Sequence, residues 1–470
     1  MLAITKTKKY IFFCFAIIFL IIKNYHELWF DEVQAWMLVN FSTHLFKDIP
    51  LEGHPPLWYI LLKLVSFFSN HIYTLILTHS VLVLTTFYFL IKITKNKTLL
   101  FFLFTNYFLF YEYGILNRHY ILSLLFGCFF LYSITQNPPH RLKAYLSHAL
   151  LYFSTPFAYF IAFFTTFIFS KKNWVYLGIS LFLAISLALY MLPSTDSAIY
   201  HMNFFHFSEQ RVFLIFQKFF KAFFPFPTLQ VSSWGTNFLD HKPLLQTFLG
   251  VFIFIWSLFF FKNKPKLLQL YFFLQITIAG FIYVKDLNEI RHYGHFFLIF
   301  LFCILYLHTY EKKINSFFLN LVLITQSLSC LYFVFLELNY PFSNASKLAK
   351  IIKKENISTV YVDNYFSTIS LKTYLPQTKL IYLGTTKQVK YASYQKGYLG
   401  KVYITSLKQN LYHTALDNET TKNLGVFYLI TTLDIEYMQS RFKIEPIVVL
   451  SPTIYSKENL KLYKVFAQTD

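Results

Sequence analysis

Residues 246–284 read QTFLGVFIFIWSLFFFKNKPKLLQLYFFLQITIAGFIYV. Two apolar runs, about 246–262 and 267–284, flank Lys262, Lys264 and Lys266. A helix rises about 1.5 Å per residue, so roughly 17–20 apolar residues match the hydrocarbon thickness of a bilayer. Lysines gather at the cytoplasmic ends of membrane helices. The stretch therefore reads as a hairpin that enters, turns on the cytoplasmic side and returns.

The same unit extends in both directions. Upstream, apolar runs cover about 9–24, 71–92, 98–112, 119–136, 143–156, 157–170 and 173–192; downstream they cover about 294–310 and 315–337. With the hairpin they make about eleven transmembrane helices. Residues 57–69 are apolar but too short to span, which suits a helix at the membrane surface. The expected inner loops carry Lys92, Lys95 and Lys97, then Arg141 and Lys143, then Lys171 and Lys172, and finally Lys312 and Lys313. Lys6, Lys8 and Lys9 precede the first run, and no small-residue cleavage site follows it, so it reads as an uncleaved first span. This parity puts the N-terminus inside and everything after residue 340 outside, in a cytoplasmic (inner) membrane. Reading 143–170 as one span would move the later lysines outside, so two short spans are expected there.

Composition agrees. Hydrophobic residues are 56 % and charged residues 14 %, against roughly 25 % charged in soluble domains. Disorder, a disulfide scaffold and a wholly water-soluble enzyme are excluded. Cys14, Cys128, Cys303 and Cys330 all lie in apolar runs, so disulfides are not expected. The net charge of +20 is spread in small groups between apolar runs, which argues against a nucleic-acid partner.

The chain divides at about residue 340, into a membrane domain, 1–340, and a small α/β domain, 341–470. In the second, Ser343–Lys354 reads as a capped helix. Strands are expected at Thr359–Val362, Lys379–Leu383, Val402–Thr405, Val426–Ile430 and Ile447–Leu450. It contains no glycine-rich phosphate loop and no metal-ligand spacing.

The outer loops gather the chemistry. The first holds Trp29-Phe30-Asp31-Glu32-Val33-Gln34-Ala35-Trp36, then Glu52-Gly53-His54-Pro55-Pro56-Leu57. Adjacent carboxylates on a helix point about 100° apart, so one faces a substrate and the other supports or caps. Another outer turn holds Glu112 and Asn117-Arg118-His119-Tyr120, and another Glu289-Ile290-Arg291-His292-Tyr293-Gly294-His295. Singly, these suit caps, a solvated pre-helix histidine and snorkelling arginines. Together, on one membrane face, they can hold a phosphate and remove a proton.

The Asp31-Glu32 pair after the first span, His54-Pro55-Pro56-Leu57 and Arg118-x-Tyr120 resemble the GT-C glycosyltransferases, most nearly the protein O-mannosyltransferase, aminoarabinose transferase and bacterial galacturonosyltransferase-like branch. The resemblance covers about residues 9–310 and is strongest over 25–125. It implies a polytopic α-helical GT-C-like fold that moves a sugar from a polyprenyl-phosphate donor to an extracytoplasmic acceptor, such as an envelope glycolipid or a protein. It implies Asp31 as catalytic residue, with Glu32, His54, Arg118, Tyr120, Arg291 and His292 as binding groups. No Asp-x-Asp stands where metal-dependent members carry one, so no obligatory metal or other cofactor is expected. The alternatives are a protein O-glycosyltransferase of the same fold, and a transporter or flippase of lipid-linked substrates. A transporter is expected to show internal repeats and mid-span ionisable groups.

Overall fold

The computed structural model describes residues 6–169, 173–192, 207–310, 317–362, 365–382, 388, 391, 425–432, 443–448 and 450–466. The expected strand Val402–Thr405 and the lysines Lys171, Lys172, Lys312 and Lys313 lie outside the described residues.

The chain is mainly helical. Helix α1 is Lys6–Tyr25, α2 Phe30–Phe41, α3 Leu45–Glu52, α4 Leu57–Ser66, α5 Tyr73–Ile93 and α6 Lys97–Phe104; a π-helix, Tyr107–Ile115, follows. Then come α7 Tyr120–Thr135, α8 Arg141–Tyr152, α9 Pro156–Phe169, α10 Trp174–Tyr190, α11 Glu209–Phe223, α12 Pro243–Phe260, α13 Pro265–Lys285, α14 Ile290–Tyr310 and α15 Phe317–Asn339.

Among the described residues, five helices are long and apolar enough to cross a membrane: α5, α12, α13, α14 and α15. The expectation of about eleven spans is thus met only in part. Helix α1 passes the same test only together with α2, from which it is bent by 84°. The run expected at 98–112 is two pieces, because the Asn106 carboxamide oxygen accepts from the N–H groups of Phe108 and Leu109 and starts a new helix. Where two short spans were expected, residues 141–169 contain two helices, α8 and α9, packed side by side and tied by His148–Thr165 and Tyr152–Thr166 hydrogen bonds of 2.9 Å. The interval 193–245, expected as a long outer loop, contains a helix, α11, which packs on α12 and α14. That approach needs Gly250, since a Cβ there would overlap the Phe216 carbonyl oxygen.

The bundle has two distinguishable ends. At one, Lys8 donates to the carbonyls of Ile91 (3.1 Å) and Thr94 (2.7 Å), joining the start of α1 to the end of α5. The other carries the starts of α2, α7 and α14. Lipid-sized apolar side chains such as Phe13, Phe252, Phe273 and Phe335 face outward, while rings such as Tyr107, Tyr111 and Phe333 fill the interior.

The C-terminal domain has helices α16 (Ala345–Lys354) and α17 (Tyr365–Tyr374) and strands β1 (Thr359–Val362), β2 (Lys379–Tyr382), β3 (Val426–Thr431), β4 (Lys443–Val448) and β5 (Lys461–Phe466). The sheet order is β2-β1-β3-β5-β4. The first three are parallel; β5 runs antiparallel to β3 and β4. The fourth strand lies a few residues before the expected Ile447–Leu450, and β5 was not foreseen. Leu28, Val33 and Met37 share a core with α16, α17 and the sheet, so α2 is sandwiched between the two parts of the chain.

Candidate active site

Asp31 stands in the first turn of α2 and meets both Arg118 and Arg291. Its Oδ2 lies 2.5 Å from Arg118 Nη1 and 2.8 Å from Arg291 Nη2. Arg118 comes from the turn before α7 and Arg291 from the first turn of α14, so three segments far apart in sequence close on one carboxylate. The arginines rest on aromatic faces: Arg118 is 5.9 Å from the Trp29 and Tyr120 ring centres, and Arg291 is 5.5 Å from Trp29 and 5.8 Å from Trp234. Such stacking orients a planar guanidinium without using its donors.

Beside them is a cavity of about 270 Å³, lined by Asp31, Glu52, His54, Arg118, Tyr120, Arg291 and His292, with Phe157, Phe281 and Lys285. A side chamber of about 40 Å³ shares Asp31, Glu52, His54 and Arg118 and adds Gln34, Tyr59 and His119. Six of the seven residues singled out above therefore face one space. Arg118 Nε, Arg291 Nε, His54 Nδ1 and His292 Nδ1 are buried there without a hydrogen-bond partner among the described residues. Polar atoms that face a cavity in this way are open to hydrogen bonding by a ligand or by water.

The charges suit an anion. Burial by itself would raise the Asp31 carboxyl, but the guanidinium of Arg118, and next that of Arg291, hold it below its ordinary value. Burial, and then Arg118, push the His54 imidazole down to about 3, so it is neutral. Arg118, Arg291 and Lys285 line the cavity against the Asp31 carboxylate, with Glu289 3.9 Å from Arg291 as a second, more exposed counter-charge.

Glu32, expected as a binding group, does not line the cavity. Its carboxylate is fully buried and accepts from the Trp29 N–H at 3.1 Å, from Asn117 through its N–H and its Nδ2 (2.8 Å), and from His26 Nε2 at 2.9 Å. His26 bridges on to Glu337 Oε1 at 3.0 Å. The two carboxylates, each buried beside it, outweigh the effect of burial and raise the His26 imidazole to about 10, so it is a cation between them. Glu32 thus ties α2 to the Arg118 turn. With neighbours about 100° apart on the helix, Asp31 faces the cavity and Glu32 the interior. Glu112 also points inward, to Trp234 Nε1 and the Tyr107 hydroxyl, both 3.0 Å away. His295 stacks on Phe157 at 3.9 Å.

Glu52 is the lining residue that sequence reasoning passed over. It ends α3, where Gly53 adopts φ 75° and reverses the chain toward His54. Its carboxyl accepts from Gln34 Nε2 at 2.6 Å and from the Tyr59 hydroxyl. Burial outweighs those bonds and pushes it up from 4.5 to about 7. The folded state therefore favours the protonated form, and its stabilising contribution is lost as pH rises through about 7. Melting temperature of the detergent-solubilised protein is expected to fall between about pH 5 and pH 8, less steeply in Glu52→Gln. Equal slopes in both proteins would show that Glu52 titrates normally.

Among the described residues no group of three His, Cys, Asp or Glu side chains is disposed to hold a metal ion. Compared with protein-family models, curated proteins and solved structures, the chain gives no match.

Proposed function

We propose that the chain is a membrane glycosyltransferase that moves a sugar from a polyprenyl-phosphate donor to an extracytoplasmic acceptor. The observation that carries this reading is the pair of arginines converging on Asp31 beside a cavity lined with orphaned donors. Guanidiniums bind phosphate oxygens through paired, charge-assisted hydrogen bonds. A second cavity, about 500 Å³ and mostly apolar, runs along α7, α9, α13 and α14 between residues such as Leu131, Ile161, Leu274 and Phe302. An isoprenoid chain has the chemistry to fill it.

In this reading the donor phosphate draws Arg118 and Arg291 away from Asp31. Asp31 then takes the proton of the acceptor hydroxyl as its oxygen bonds to the anomeric carbon. The bond to phosphate breaks on the opposite side, and the arginines hold the departing charge. Displacement on one face with departure from the other inverts the anomeric centre.

Envelope lipids and glycans from a deletion strain test the reading by mass spectrometry. Loss of one sugar unit from a lipid supports a glycolipid acceptor, and loss from a protein supports a protein acceptor. An unchanged sugar inventory with accumulated lipid-linked donor favours transport instead. Sidedness is tested by fusions: a reporter active only outside the cytoplasm is expected to work after residue 340 and fail after Lys97 or Lys266. The reverse pattern would put the site on the cytoplasmic face.

A further inference from the structure

The turn 453–459 of the C-terminal domain touches both helices that carry the central ion pairs. Glu458 is 1 % exposed. Its Oε1 accepts from the Phe30 N–H at 2.5 Å, across 428 residues of sequence. Phe30 opens α2, and the next residue is Asp31. The first N–H groups of a helix have no partner inside it, and Trp29, which precedes α2, has no short polar side chain to supply one. A carboxyl from the other domain does so. Its Oε2 accepts from the Ser343 hydroxyl at 2.5 Å and the Ser370 hydroxyl at 3.1 Å, which orient it.

Tyr455 lies 4.9 Å from Trp29 and 5.0 Å from Trp234, the two rings over which Arg291 sits. Lys457 Nζ lies 3.6 Å from Glu289, just before α14. The turn is itself fastened. The Ile454 N–H donates to the Pro341 carbonyl at 2.9 Å, Ser232 donates to the Thr453 carbonyl at 2.7 Å, and Asn344 exchanges two hydrogen bonds with the Leu460 backbone. Ser343 and Asn344, expected as the cap of α16, serve this docking.

We propose that the C-terminal domain completes the active site: Glu458 is a positioning residue that sets the first turn of α2, and so Asp31, against Arg291. The proposal rests on the glycosyltransferase reading only for its activity arm. Burial pushes Glu458 up to about 8, so the neutral acid prevails near neutral pH. Gln keeps the acceptor on the Phe30 N–H through its carbonyl oxygen, and its amide, like the protonated oxygen of the neutral acid, donates to serine hydroxyls that rotate to accept.

The test uses the full chain in membranes or detergent. In Glu458→Ala, amide hydrogen exchange in residues 29–34 is expected to accelerate, while exchange in α12 stays as in wild type. Transfer per molecule of protein is expected to fall about tenfold, with the donor KM changed less than about threefold, since displacements near 1 Å at a reacting group cost up to roughly a hundredfold. Glu458→Gln is expected to restore both. Wild-type exchange and transfer in Glu458→Ala, or a folded Glu458→Gln no better than Ala, would overturn the proposal. Should Glu458→Ala not accumulate, Tyr455→Leu takes its place, with altered Trp fluorescence and a similar fall in transfer expected; an unchanged spectrum and activity would count against the proposal. A wild-type protein that transfers no sugar would refute the function, while the exchange arm still decides whether Glu458 holds α2.

Discussion

Asp31→Asn is expected to lower sugar transfer by about 10²–10⁴-fold, the range of a general base, while the protein still inserts and accumulates. Asn keeps the shape and can still hydrogen-bond, so what is lost is charge and basicity. The charge matters twice. Asp31 pairs with both Arg118 and Arg291 in the resting protein, while Glu289 reaches only Arg291. Removing one partner of a buried ion pair typically costs about 3–5 kcal/mol, so Asp31→Asn is also expected to melt earlier. An added anion should recover that stability, because the arginines then have a partner again. The variant is therefore expected to bind polyprenyl monophosphate at least as tightly as wild type while transferring far less sugar. Loss of transfer and binding together would make Asp31 a structural counter-ion; wild-type transfer would make it only a helix-end carboxylate. Glu32→Gln is expected to act through stability, since Glu32 ties α2 to Asn117 and His26 and does not line the cavity.

Arg118→Ala and Arg291→Ala are each expected to reduce donor use by about 10–100-fold, the equivalent of one charge-assisted hydrogen bond at about 1.5–3 kcal/mol. Lys is expected to restore only part. It offers a point charge in place of a planar fork, and it stacks less well over Trp29, Trp234 and Tyr120. Arginines that merely snorkel to the headgroups would be replaced by Lys without loss. Transfer by the two Arg→Lys variants, normalised to protein in the membrane, separates these outcomes. Full activity in both would remove the arginines from the site.

Much of this arrangement was legible in the chain. Apolar run length and flanking lysines located the helices, because each run satisfies its own backbone hydrogen bonds and its ends are marked by charge. Asp31, His54, Arg118, Tyr120, Arg291 and His292 could be grouped from the sequence, since all fall on turns expected at one face of an alternating bundle. Other features depend on contacts between distant segments. Which of Asp31 and Glu32 faces the cavity is set by how α2 rolls against α17 and the Arg118 turn, and both carboxylates suit the first turn of a helix equally well. Glu52 reads as a loop carboxylate; only burial against Gln34 and Tyr59 makes it a cavity group near neutrality. The single helix expected over 98–112 is broken where one polar side chain, Asn106, captures two backbone N–H groups. Glu458 gave no local signal, because its partner, the Phe30 N–H, is 428 residues away in sequence and reaches it only when the C-terminal domain docks on α2. Local hydrophobic periodicity and charge determined the helices and the face that holds the chemistry. The tertiary structure alone decided which carboxylate meets the arginines, because that depends on pairing groups hundreds of residues apart.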